Sequence, residues 1–288
     1  MPTSQHLAAQ DLSARLDPMR QAAPLVHCLT NTVVQTVTAN ALLAAGAAPA
    51  MVDHPEEAGV FAGVAGGVLI NTGTIAPHQV QSMPIAARAA NDAGVPWVLD
   101  PVAVGFLPVR TGLAADLLEL GPTAIRGNAS EIAALAGMGE GGRGVDSVDS
   151  SEDAIPAAAE LARRTGAVVA VSGARDIIVW VEEADGASSG EVRTLAIDSG
   201  SDLMPRVIGT GCALGALVAA YLASVAGEGP SARLRAAAVG AAHAHSSAAG
   251  RIAGRTHQQP GSFAVGWMDA LSSLDAAALI DEVSVSEL

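Results

Sequence analysis

GVLINTGTIAPHQVQSMPIAARAANDAGVPWVLD, residues 67–100, decides the fold. It opens on an apolar run at 67–71 that ends in Asn71, and after a polar interval it enters a stretch of helical length at 80–93. A second apolar run at 96–100 ends in Asp100. Short runs that are apolar throughout, rather than at alternate positions, are strands covered on both faces. Joined by a crossover helix, such strands run parallel. The unit recurs outward in both directions: strands are expected at 50–53, 124–126, 167–172, 177–181 and 192–197, and helices at 33–45, 112–120, 130–136 and 154–165. The expectation is an α/β fold with three layers, α/β/α, built on a mainly parallel sheet and spanning 1–288 as a single domain. The polar stretch 182–190 reads as a turn between antiparallel strands. The Gly, Ser and Asp-rich stretch 139–153 reads as a loop, because no Lys-Ser or Lys-Thr follows its glycines as a phosphate loop requires.

Composition narrows the function classes. Hydrophobic residues make up 50% of the 288 but aromatics only 2%, so Ala, Val, Leu and Ile must fill the core. The net charge of −14, with no basic run, excludes a nucleic-acid binder. The most apolar stretch, 212–226, is too short to cross a bilayer and reads as a buried helix, so no membrane partner is expected. The first residues lack the charged-then-apolar layout of a signal peptide, and a cytoplasmic location is the expectation. Cys28 and Cys212 lie far apart in unrelated contexts and read as reduced thiols. An anionic ligand would be repelled by the net charge, so attraction must come from local devices such as helix N-termini, single arginines or a divalent cation.

Four stretches carry chemistry. In Val207-Ile208-Gly209-Thr210-Gly211-Cys212, a Gly-Thr-Gly turn opens a long apolar helix, an arrangement that offers backbone N–H groups and the positive helix end to an anion. Gly209 and Gly211 allow the close backbone approach of a phosphoryl group, and Cys212, in the first turn, sits where the dipole favours a thiolate able to accept a proton. Arg126-Gly127-Asn128-Ala129-Ser130-Glu131 follows a strand: Arg126 can pair with phosphates and Glu131 can hold magnesium, while Asn128 and Glu131 equally suit a helix capping box. Asp100 closes a buried apolar strand and could serve magnesium, although Asp-Pro is also an ordinary turn. Cys28, Asn31 and Met51, from the segments at 24–31 and 49–53, could line a pocket for a flat sulfur heterocycle. His243 and His245 are too close in sequence to share a helix face, and neither these nor His54, His78 and His257 receive a role.

Taken in order, PLVHCLTN (24–31), TANALLAAGAAPAMVDHPEEA (38–58), VLDPVAVG (98–105), AIRGNASEIAALAG (124–137), VVAVSG (168–173) and IGTGCALGALVAAY (208–221) resemble the hydroxyethylthiazole kinase family. The resemblance implies a ribokinase-like fold without a lid domain. It also implies ATP and Mg2+ as reactants, 4-methyl-5-(2-hydroxyethyl)thiazole as acceptor, and a homotrimer with sites between neighbouring subunits. On the same grounds Met51 and Gly209 would contact the thiazole, and Arg126 and Ser172 would contact ATP, with Asn128 and Thr210 alongside. Cys212 would stand where most ribokinase-like enzymes carry an Asp base. Kinases of a hydroxymethylpyrimidine or pyridoxal, a dehydratase repairing hydrated nicotinamide cofactors, and a non-catalytic binder are the alternatives.

Overall fold

The computed structural model describes residues 6–139, 150–182, 190–229 and 231–288. The first half of the chain runs α1 (Ala9–Ser13), α2 (Leu16–Ala22), β1 (Leu25–Leu29), α3 (Gln35–Ala45), β2 (Ala48–Ala50), α4 (Pro55–Ala62), β3 (Gly67–Asn71), α5 (Pro77–Ala93), β4 (Trp97–Asp100) and α6 (Pro108–Leu118). It continues with β5 (Ala124–Asn128), α7 (Ala129–Leu135), α8 (Ile155–Thr165), β6 (Val168–Ser172), β7 (Arg175–Glu182) and β8 (Glu191–Asp198). The chain ends on α9 (Thr210–Val225), α10 (Ala232–Thr256), α11 (Pro260–Ser273), α12 (Ala276–Glu282) and β9 (Ser284–Glu287).

The described strands form one sheet in the order β2-β1-β3-β4-β5-β6-β7-β8-β9. Strands β2 through β6 are mutually parallel, and β7, β8 and β9 are added antiparallel. A mainly parallel sheet is thus observed, and β7 pairs antiparallel with β8 as the sequence suggests. Residues 183–189 between them, and 140–149 of the Gly-rich stretch, lie outside the described residues. Among the described residues no second sheet covers the strand ends as a lid would.

Side-chain alternation along the strands separates two cores. Leu69, Val98, Ala124 and Ala170 face a cluster built with α1, α2, α3, α9, α10, α11 and α12. Val68, Ile70, Leu99, Ile125 and Val169 face a second cluster built with α4 to α8. The helix expected at 212–226 is α9; its most apolar window has a mean hydropathy of 1.6, yet 67% of it is buried inside the fold. It packs against β1, β3 and β4, with α3 and α10 beside it.

Several expected boundaries move for local reasons. Strand β2 falls at Ala48–Ala50 rather than 50–53, an edge position where Pro49 and its missing N–H are tolerated. Helix α5 starts at Pro77 rather than 80, because Pro suits the first helical position and the Gln79 side chain accepts from the Ala76 N–H at 3.0 Å. Strand β1 was read only as an apolar segment: its central His27 is buried and reaches the Val52 carbonyl at 2.6 Å.

Candidate active site

A period of two places Asn71, Asp100, Arg126 and Ser172 on the sheet face they share with Leu69, Val98, Ala124 and Ala170. That face meets α9, so the four polar side chains at the C-terminal strand ends confront the first turn of that helix. The strand order reverses between β1 and β3, which end in or just before Asn31 and Asn71. In open α/β sheets, the crevice at such a reversal is where ligands bind.

The polar groups form a chain across the strand ends. Asn31 Nδ2 lies 3.5 Å from Cys212 Sγ and donates to Asn71 Oδ1 at 3.1 Å. Asn71 Nδ2 donates to Asp100 Oδ2 at 2.7 Å. Arg126 Nη1 approaches Asp100 Oδ1 at 3.6 Å, and Arg126 Nε donates to Ser172 Oγ at 3.1 Å. The register explains the proximity: Asn71 pairs with Asp100, and Asn128 pairs with Ser172. Asn71 was missed as a site residue; the signal was a polar residue closing a buried strand, the same signal that singled out Asp100.

The helix entry has the geometry an anion needs. Gly209 is the N-cap of α9 at φ +91°, without a side-chain cap, so the first-turn N–H groups remain available. A Cβ on Gly209 would stand 3.0 Å from Val37 Cγ1. Thr210 Oγ1 donates to the Met204 carbonyl at 3.1 Å and so anchors the turn to the preceding segment. A Cβ on Gly211 would lie 3.2 Å from both Nη1 and Nη2 of Arg126; the guanidinium therefore rests directly on the helix start. A Cβ on Gly215, one turn on, would lie 3.3 Å from Asp100 Oδ2.

Burial opposes the helix dipole at Cys212. Cys212 stands where the helix dipole favours a thiolate, but its pKa is raised to about 11, first by burial and then by the Asp100 carboxylate, which together outweigh Arg126, Asn71 and Asn31. The resting group is a thiol. Burial likewise pushes Asp100 up to about 6, against the opposing pull of Arg126. Arg126 is held above its ordinary value: burial works to lower it, but the Asp100 and Glu131 carboxylates more than offset that.

The remaining expected residues divide. Asn128 and Glu131 form a complete capping box on α7, Asn128 Oδ1 accepting from the Glu131 N–H and Glu131 Oε2 from the Asn128 N–H, both at 2.9 Å. Glu131 Oε1 also accepts from the Ala103 N–H at 3.0 Å. Met51 follows β2 directly and is half-buried at the far end of the same row of strand ends. Cys28 is not brought to the row: its thiol is buried in the α9-side core and burial pushes it up to about 12. Its side chain points below the strand ends because it lies three residues short of Asn31. Among the described residues, no group of three or more His, Cys, Asp or Glu side chains forms a metal cage.

Four of the histidines left without a role have partners for their side chains. His243 Nδ1 lies 2.9 Å from Asp176 Oδ2, and His245 accepts from or donates to Tyr221 OH at 3.0 Å while its Nε2 meets the Leu271 carbonyl at 2.9 Å. His78 pairs with Asp53 at 3.1 Å, and His54 caps α4.

The architecture is the ribokinase-like fold. Pyridoxal kinase from Staphylococcus aureus, solved with AMP-PCP and pyridoxal, superposes with a TM-score of 0.58 at 14% identity, covering 92% of this chain and 98% of that one. Within that class the match is much narrower. The profile of the Hydroxyethylthiazole kinase family fits residues 16–277. Hydroxyethylthiazole kinase of Corynebacterium glutamicum (strain R) is 55% identical over 269 residues, 93% of this chain and 96% of the relative. That of Kineococcus radiotolerans is 50% identical over 278 residues, 96% and 95% respectively. The solved hydroxyethylthiazole kinase protein from Pyrococcus horikoshii OT3 superposes with a TM-score of 0.80 at 34% identity, covering 96% and 98%. This chain belongs to the hydroxyethylthiazole kinase family.

Proposed function

We propose that this chain is an ATP-dependent phosphotransferase that moves the γ-phosphoryl group of ATP to the hydroxyl of 4-methyl-5-(2-hydroxyethyl)thiazole, a step of thiamine biosynthesis or salvage. The observation that carries the reading is the uncapped Gly209 turn of α9 set against Arg126, Asp100 and Cys212. Arg126 and Ser172, with Asn128 and Thr210 nearby, hold the nucleotide. Met51, Asn31 and Gly209 receive the acceptor. The N–H groups of the first turn, at Gly209 to Gly211, stabilise charge on the transferred phosphoryl, which gains more from fixed donors than from water.

Cys212 acts as a thiol. Burial and the Asp100 carboxylate push its pKa up to about 11, so the thiol predominates at pH 7. The loose transition state of phosphoryl transfer tolerates this, because the acceptor proton can leave late and positioning dominates. The Sγ and the Asn31 amide, 3.5 Å apart, together orient the hydroxyl toward the helix entry.

A magnesium ion fits the site by one feature. Asp100 Oδ1 is buried without a hydrogen-bond partner and is offset only by the Arg126 guanidinium 3.6 Å away, so it keeps lone pairs that a second cation could use. Asp100 and Glu131 would hold the ion, in part through water, and it would neutralise phosphate charge. Both Glu131 oxygens already accept a backbone N–H, so a water-bridged role suits it.

Residues 1–288 are read as one catalytic unit, and a cytoplasmic location and a homotrimer complete the proposal. The trimer is supported by exposed apolar side chains on and just after α4, Val60 and Val64, which are 75% and 71% exposed. The test is release of ADP that depends on the thiazole alcohol in the presence of ATP and Mg2+. Absence of that dependence, or equal turnover with pyridoxal, overturns the proposal. Sedimentation of the purified chain as a monomer at micromolar concentration overturns the trimer.

A further inference from the structure

The reaction just described leaves the His243–Asp176 pair unused. His243, on α10, is fully buried. Its Nδ1 lies 2.9 Å from Asp176 Oδ2, while Nε2 has no hydrogen-bond partner. The other Asp176 oxygen, Oδ1, accepts from the Gly173 N–H at 3.1 Å. Gly173 directly follows Ser172, whose hydroxyl accepts from Arg126 Nε at 3.1 Å. Four residues thus link α10 to the guanidinium that rests on the start of α9.

The turn at Ser172–Gly173 has little freedom of its own. A Cβ on Gly173 would stand 3.0 Å from Ser151 Oγ. Its other side is tied by Arg175, which binds Asp198 with two bonds of 2.8 Å and Glu152 at 3.5 Å. Those ion pairs are well exposed and contribute little, whereas in the His243–Asp176 contact His243 is fully buried and Asp176 is 12% exposed. A buried ionisable pair is seldom the best way to hold a fold together, since apolar packing of the same volume does as well. What it supplies here is geometry at Gly173.

The same face of α10 seats the acceptor side. Counting from His243, residues 247, 250 and 254 follow at helical spacing. A Cβ on Gly250 would lie 2.6 Å from Met204 Sδ, and one on Gly254 would lie 2.6 Å from Ser201 Oγ. The segment that leads into Gly209, and whose Met204 carbonyl takes the Thr210 hydroxyl, is therefore docked on the helix that carries His243.

We infer that Asp176 and His243 are positioning residues for the nucleotide: through the Gly173 N–H they fix the Ser172 hydroxyl and, through it, the orientation of Arg126. The inference rests on the reading of Arg126 and Ser172 as nucleotide contacts. His243→Leu removes the donor to Asp176 at similar bulk. It raises KM for ATP about tenfold, the equivalent of one lost hydrogen bond to a charged group, and leaves KM for the thiazole alcohol unchanged. His243→Asn returns an N–H close to the former Nδ1 and restores most of the affinity for ATP. A purely structural role would lower the melting temperature without separating the two KM values.

The experiment measures both KM values and calorimetric binding of a non-hydrolysable ATP analogue for the unmodified chain and both variants. Should His243→Leu not fold, Asp176→Ala, which removes the acceptor for Gly173, is read in its place with the same expectation. The inference is overturned if KM for ATP stays at the unmodified value, if both KM values rise together, or if His243→Asn recovers nothing. Failure of the functional reading looks different: the unmodified chain then releases no ADP with the thiazole alcohol, while analogue binding still reports on the pair.

Discussion

Gly211→Ala separates the helix from the chemistry it carries. The position lies at the second residue of α9, where Ala is a better helix former than Gly by about 1 kcal/mol. By that term alone the variant is as stable as the parent or slightly more so. The added Cβ, however, stands 3.2 Å from both terminal nitrogens of Arg126, so the guanidinium must withdraw by a few tenths of an ångström. Withdrawal stretches its 3.1 Å bond to Ser172 and its 3.6 Å approach to Asp100. A hydrogen bond involving a charged group contributes about 1.5–3 kcal/mol, and partial loss of one such contact to phosphate predicts KM for ATP about tenfold higher. The assays are a coupled ADP-release measurement and a thermal melt. Gly112→Ala in α6 is the control: nothing lies within 4 Å of its Cβ, so stability rises and both KM values stay put. Gly211→Ala with an unaltered KM for ATP and an unaltered kcat would refute the placement of Arg126 on the helix entry.

Three further outcomes follow from the same geometry. Cys212→Ala is expected to lower kcat by about a hundredfold, the low end for a lost proton-transfer group; Cys212→Asp should retain turnover, and its complete inactivity would argue against a proton-handling role. The raised pKa of Asp100 means that its carboxylate is lost as pH falls through about 6 rather than near 4. kcat/KM should therefore decline on that acid limb, and a profile flat down to pH 5 would count against Asp100. Glu131→Gln keeps an acceptor for the Asn128 N–H but turns its NH2 toward the Ala103 N–H, so it is expected to lower the melting temperature by less than Glu131→Ala while weakening Mg2+ binding, whereas Glu131→Ala breaks the capping box and costs about 1 kcal/mol of stability. Equal melting temperatures for the two variants would contradict the capping role.

The parallel core was legible because β3 and β4 are apolar throughout and end in polar residues, a pattern that alternation alone cannot produce. Strand β9 was not: Ser284, Val285, Ser286 and Glu287 are short, polar and at an edge, and only pairing with β8 makes them a strand. The site was legible where chemistry is local, as at Gly209 and in the Asn128–Glu131 box. It was illegible where meaning depends on register. Asn71 matters because it stands opposite Asp100, and Asp176 because a helix some 67 residues later brings His243 to it. The protonation state of Cys212 stayed open in the sequence for the same reason: a helix start is visible there, but the burial that opposes its dipole is not.

The turn proposed to receive the phosphoryl group belongs to α9, whose body is embedded against β3, β4 and α10 rather than carried on an outlying loop. Warming cannot loosen the reactive end of such an element while the rest stays intact. Heat inactivation of this enzyme should accordingly coincide with cooperative melting, with no cooler interval in which a folded but idle protein accumulates.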